Sequence, residues 1–257
     1  MRHVNELLRR ELAAYFLSPM AYLVLLAFQV LAFLNFWVLV DTLSDPVRTH
    51  GEYSSLNDPM TTYISSSPSF WLGMLMAIPV LTMRLLAEER RSGTIETLLT
   101  LPVTETQVVL AKWLAGVVMY LVLLIPFALY LPFLYYQAHF PFDVGPLIAL
   151  AAGLTTLGMM LVAIGVLCSA STRNQLVAAI WTFAVLFCLV GMIPLLAQFA
   201  ARTRTGWAEA LQYTSILHQV AAFGLGRLDL RHLALHLSAC VLLLSLTVRI
   251  VSARGNR

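Results

Sequence analysis

The sequence predicts an all-α integral membrane protein with six transmembrane helices, an interfacial N-terminal helix and a short cytoplasmic helix between the second and third spans. Three observations predict this class. Of 257 residues, 60% are hydrophobic and only 11% charged, whereas a soluble domain carries about 25% charged residues. The mean hydropathy is +0.81. The apolar residues also form long continuous runs, not the alternating segments of about ten residues that build a membrane β-barrel. The whole chain, 1–257, reads as one transmembrane domain.

Residues 2–17 are too polar to span. On a helix, Val4, Leu7, Leu8, Leu12, Tyr15 and Phe16 share a broad apolar face opposite Glu6, Arg9, Arg10 and Ala13, the pattern of a helix lying in the membrane interface. Glu11 falls inside the apolar face and breaks the pattern. Ser18-Pro19 then ends the helix. The apolar run that follows is too long for a cleavable signal, and no small-residue cleavage pattern follows it.

Windows almost free of charge place the spans at about 20–40, 69–87 (with Pro79 inside and Arg84 near its exit), 107–136, 146–170, 174–200 and 232–250. At about 1.5 Å per residue each can cross a hydrocarbon core of about 30 Å. Six crossings put both termini on one side, and the basic residues decide which. With the termini inside, Arg2, Arg9, Arg10, Arg84, Arg90, Arg91, Lys112, Arg173, Arg249, Arg254 and Arg257 face the cytoplasm. Arg48, Arg202, Arg204, Arg227 and Arg231 face out, beside an acidic loop, 41–67, with Asp41, Asp45, Glu52 and Asp58. The expected orientation is N-in and C-in.

Two cytoplasmic turns carry helix-start signals. Thr104-x-x-Gln107 is a capping box with Val103 and Val108 as its hydrophobic staple, and Thr172-x-x-Gln175 repeats the pattern with Arg173 and Asn174 inside it. The last outer connection, 201–231, is too long for a hairpin and holds an amphipathic piece, Trp207 to Phe223, expected to form one or two short helices at the outer leaflet.

Little in the chain can carry chemistry. A phosphate-binding loop needs a lysine after glycine, and the only lysine, Lys112, stands in Ala-Lys-Trp about two turns into a helix, where its expected role is to snorkel to the interface. Cys168, Cys188 and Cys240 lie inside apolar runs without paired spacing and read as buried apolar residues. His232 and His236 are four apart, with His218 before them, but no carboxylate accompanies them and interfacial histidines are the expected reading over a metal site. Neither the serine nor the paired-aspartate pattern of an intramembrane protease occurs. The polar residues of the spans, Gln29, Asn35, Thr82, Thr155, Thr156 and Thr182, read as interhelical partners, and Gly153, Gly158, Gly165 and Ser169 as sites of close helix approach. A proton- or ion-coupled carrier would need intramembrane Asp, Glu or His. No metal, bound cofactor or nucleic-acid partner is expected.

The dense polar element is Ala87 to Thr104, AEERRSGTIETLLTLPVT, between the second and third spans. It holds Glu88, Glu89, Arg90 and Arg91 in succession, then Gly93, Thr94, Glu96, the apolar Ile95, Leu98 and Leu99 on one side, and Pro102. A bundle with no engine of its own and one polar element facing the cytoplasm reads as driven by a partner docked there.

The run from Pro79 to Trp113, PVLTMRLLAEERRSGTIETLLTLPVTETQVVLAKW, closely resembles the ABC-2-type exporter permeases, in particular the gliding-motility-type subfamily. Arg10 to Tyr22 resembles the family's interfacial elbow helix, Ser169 to Ala179 its second cytoplasmic turn, and Phe223 to Ile250 its last outer segment and final span. The loop 41–67 has no counterpart. The resemblance implies a multi-pass permease subunit in a bacterial inner membrane, itself non-catalytic, paired with a second permease as homo- or heterodimer. A cytoplasmic ABC ATPase subunit would hold ATP and Mg, and membrane lipids and an envelope accessory protein are further partners. Gly93 would cap a coupling helix with Glu96 in its first turn. Ile95, Leu98 and Leu99 would press into a groove of the ATPase, and Glu88, Glu89, Arg90 and Arg91 would pair with charges at its rim. The alternative is a membrane anchor or force-transmitting scaffold that moves no solute.

Overall fold

The computed structural model describes residues 2–44, 64, 67–93, 104–137, 144–203 and 206–255. Within them every regular element is helical. Six helical stretches are long and apolar enough to cross a membrane: Pro19–Asp41, Pro68–Ser92, Glu105–Tyr130, Gly145–Ser171, Gln175–Arg202 and Leu230–Ala253. Most of their bounds fall within a few residues of the apolar windows; the second continues past its window through the charged run to Ser92.

Helix α1, Arg2–Phe16, lies along the start of the third span. Tyr15 is buried and Leu8 and Leu12 pack against the core, but Phe16 is exposed, so the inner face is narrower than the sequence suggests. The Tyr15 hydroxyl donates to the Leu81 carbonyl at 2.6 Å, and the Arg84 guanidinium sits 4.4 Å over its ring. Burial pushes the Tyr15 phenol up, which keeps it neutral and a donor.

Helix α2, Pro19–Ser44, begins with proline at its first position, where no N–H is needed. It leans on the second span through Phe28, whose ring centroid is 6.4 Å from Phe70 and 5.3 Å from Phe127. Ser67 starts that second span by accepting from Phe70 N at 3.3 Å, and its hydroxyl donates to Asn35 across the interface at 2.7 Å. The span is broken in two, α3 (Pro68–Thr82) and α4 (Arg84–Ser92), at Met83.

Helices α5 (Glu105–Gln137) and α6 (Val144–Ser171) form spans three and four. Glycines set how closely α6 packs on its neighbours. A Cβ on Gly158 would stand 1.9 Å from the Tyr120 ring, and one on Gly153 2.2 Å from the Phe223 ring. The fifth span is α7 (Gln175–Phe187), a wide turn Cys188–Met192, and α8 (Ile193–Arg202). In that turn Ile193 N–H reaches back five residues to Cys188 O, just ahead of Pro194, which offers no N–H of its own.

The connection after span five folds as two short helices, α9 (Ala208–Thr214) and α10 (Ile216–Gly224), as its amphipathic pattern predicts. Ile216, Val220 and Phe223 are buried, and α10 packs back on α6. The sixth span, α11 (Leu230–Gly255), lies along α6.

Burial is uneven. In span two, 67% of the most apolar stretch is buried, against 22% in spans five and six. Spans two, three and four therefore form the interior, and spans one, five and six surround them.

Candidate functional site

The charged run sits on α4, and the structure divides its four members. Glu88 and Arg91 are exposed. Glu89 turns inward, 2.8 Å from Lys112 Nζ and 3.4 Å from Arg10. Arg90 donates to the Ala170 carbonyl at the end of α6. Two of the four thus bond within the bundle, and the other two are exposed.

Lys112 does not snorkel. It is only 3% exposed, and its ammonium also reaches Glu11 at 3.1 Å. This accounts for the glutamate that interrupted the apolar face of α1. Glu11 and Lys112 are each out of place alone, and each is the other's partner across 101 residues of chain. The network Arg10–Glu11–Lys112–Glu89 bolts α1, α4 and α5 together. Beside it opens a cleft of about 490 Å³ lined by these residues with Tyr15, Arg84, Glu88 and Ser92.

Gly93 ends α4 at φ 74°, the left-handed conformation that glycine adopts without strain. It thus closes the helix before it. Thr94, Ile95, Glu96, Leu98, Leu99 and Pro102 lie outside the described residues, as does Val103 of the proposed staple. The chain is described again at Thr104, whose capping box is present: Thr104 N–H donates to Gln107 Oε1 at 3.2 Å, and Gln107 N–H to Thr104 Oγ1 at 3.4 Å.

The second turn is built differently from the expected box. Asn174, not Thr172, caps α7, accepting from Leu176 N at 2.9 Å in an extended backbone conformation. Thr172 instead accepts from Asn174 N at 3.1 Å, which stiffens the turn. An asparagine side chain bonds the N–H two residues ahead without strain, so it displaces the threonine as cap. Arg173 is exposed.

Ser169 does more than allow close approach. Its hydroxyl accepts from Leu86 N and Ala87 N, each at 3.0 Å, and donates to Met83 O at 3.0 Å. Only the word "small" was readable in the sequence, because these partners lie more than 80 residues away.

Other candidates resolve into packing. His236 is fully buried, with Nε2 2.8 Å from Gln219 Oε1 and Nδ1 3.2 Å from Thr156 Oγ1. His232 is buried against the rings of Tyr213 and Phe223, while His218 is exposed. Among the described residues no group of three or more His, Cys, Asp or Glu is placed to hold a metal. Cys168, Cys188 and Cys240 are unpaired, and Cys188 is exposed, contrary to the expectation of burial. Gln29 and Asn35 bond other elements, through Tyr130 and Ser67. Thr155 bonds the carbonyl of Ala151 on its own helix, as do Thr82 and Thr182 with Ile78 and Ala178.

No individually curated protein matches the chain. Residues 25–251, most of its length and at least part of all six spans, match the family described as ABC-2 family transporter protein. That family is a membrane component of transporters and normally works with an ATPase subunit. With six helices long and apolar enough to cross a membrane and a family match over most of its length, the chain belongs to the ABC-2 family of transporter membrane proteins.

Proposed function

We propose that this chain is the permease subunit of an ATP-driven exporter, and that residues 88–104 couple it to a separate cytoplasmic ATPase. The observation that carries this reading is the mounting of that segment. α4 ends at Gly93 and α5 begins at the Thr104 capping box, and the two helices are tied to each other by the ion pair Glu89–Lys112. Two helices tied to each other on either side of the segment pass a push on to the bundle. The same pair supports an external motor, because the chain's sole lysine is already held by two carboxylates.

On this reading the docking surface consists of Ile95, Leu98 and Leu99 with the exposed charges Glu88 and Arg91, while Glu89 and Arg90 hold the mount. Closure of two ATPase subunits around ATP would move α4 and shift the spans between inward- and outward-open arrangements. The expected orientation, termini inside, and the bacterial inner membrane as location follow from the arginine distribution and the family. The resemblance to the gliding-motility-type subfamily and pairing with a second permease belong to the same proposal.

Gentle purification of the tagged chain from its native membrane, followed by mass spectrometry, tests the coupling. An ATPase without membrane spans is expected to accompany it. The double changes Ile95→Asp/Leu99→Asp and Glu88→Lys/Arg91→Glu should each release that ATPase while leaving the permease inserted and monodisperse. Retention of the ATPase by both variants sinks the docking assignment.

A further inference from the structure

We infer that Ser169 is a positioning residue that fastens α4, the helix leading into the proposed docking segment, to the end of α6 just before the 172–175 turn, so that the two move as one piece. The functional meaning rests on the coupling reading above; the fastening itself does not.

The second span is weakened just before its break. Pro79 lacks an N–H, and the Thr82 hydroxyl back-bonds to Ile78 O at 2.8 Å, an arrangement that bends helices. At the break, Ser169 from the last turn of α6 places its hydroxyl between Met83 O and Ala87 N, the pair that a continuous helix bonds directly. Insertion of a side chain into this ladder is a recognised cause of kinks. With Leu86 N as a third partner, the serine uses its one donor and both acceptor positions, and it is completely buried.

Two further contacts hold the second span to α6, one on each side of the break. Gly165, one turn before Ser169, lets Thr82 approach to where a Cβ would stand 2.2 Å from its hydroxyl oxygen. Arg90, beyond the break, donates to Ala170 O, placing a positive charge at the negative end of α6. Both ends of α4 are thereby tied to the end of α6. Two residues later comes the turn already stiffened by Thr172 and Asn174. Displacement of α4 must then reach the start of α7 without passing through the span interiors.

The test uses the full chain with Cys168, Cys188 and Cys240 replaced by alanine and spin labels at Arg91→Cys and Arg173→Cys, both exposed sites. Double electron–electron resonance in lipid nanodiscs should show one narrow distance, and Ser169→Ala should broaden it or add a second. In the same variant the Leu86 and Ala87 amides should exchange hydrogen about tenfold faster, the effect of one lost buried hydrogen bond. Should Ser169→Ala not yield monodisperse protein, Arg90→Ala cuts the second tie at a half-exposed site and must broaden the distribution. A broad distribution in the parent, or an unchanged one in the variants, overturns the inference. No ATPase enters these measurements, so their failure leaves the docking assignment to its own experiment.

Discussion

Lys112 and Glu89 lie 2.8 Å apart on different helices, the lysine 3% exposed and shared with Glu11 at 3.1 Å. One buried cation thus bridges two carboxylates, and the three side chains come from α1, α4 and α5. Attraction between such groups exceeds their desolvation cost only while all partners are present.

Lys112→Met is therefore expected to destabilise by on the order of 3 kcal/mol, because Glu11 and Glu89 are left facing each other without the cation. Adding Glu89→Gln to that variant should restore much of the loss. Arg10 is 53% exposed at its side chain, so Arg10→Ala should change little. Apparent melting temperatures in one detergent compare all three, and a Lys112→Met protein as stable as the parent refutes the prediction.

The glycine contacts predict a sharp contrast. Gly158→Ala sets a methyl 1.9 Å from the Tyr120 ring, and overpacking of this kind costs about 1–3 kcal/mol. Gly206→Ala meets nothing within 4 Å and should be neutral. The same melting assay distinguishes them; equal effects from both would show that the α5–α6 contact is looser than described.

The buried polar trio on α6, α10 and α11 predicts a tautomer. Gln219 Nε2 donates to Tyr213 O at 2.8 Å, and since a carbonyl only accepts, Gln219 must turn its oxygen to His236. His236 then carries its proton on Nε2 and can accept from Thr156 at Nδ1. Nitrogen-15 NMR of histidine-labelled protein should show the Nε2–H form at this residue. His236→Leu strands the Gln219 oxygen and should cost about 1–3 kcal/mol.

The start of α7 separates two capping schemes. Asn174→Ala removes the side chain that accepts from Leu176 N and should cost about 1 kcal/mol. Thr172→Ala should cost less. Hydrogen exchange over residues 174–178 reports the difference, and a larger effect from Thr172 would restore the original box.

The spans were legible because hydropathy is a local property: each window carries its own signal. So was the Thr104 box, whose two partners are three residues apart. The pairs that organise the site are not local. Glu11 and Lys112 each registered as an anomaly, a carboxylate on an apolar face and a lysine inside a helix, yet a single sequence holds nothing that joins positions 11 and 112. Ser169 counted as a small residue because a hydroxyl's partners are invisible without the fold. The Thr172 pattern misled for a different reason: an asparagine two positions on makes a better cap, and a motif template does not weigh its neighbours.

The uneven burial of the six spans also sets where the chain tolerates change. Spans one, five and six present side chains such as Leu26, Trp37, Ile180, Trp181 and Val241 outward. There any apolar residue of roughly similar character suffices, so random mutagenesis should return many viable exchanges. Spans two to four enclose Gly158, Tyr120 and Ser169, where shape and hydrogen bonding are both specified. A saturation library should divide along that boundary, with a permissive outer ring around three nearly invariant helices.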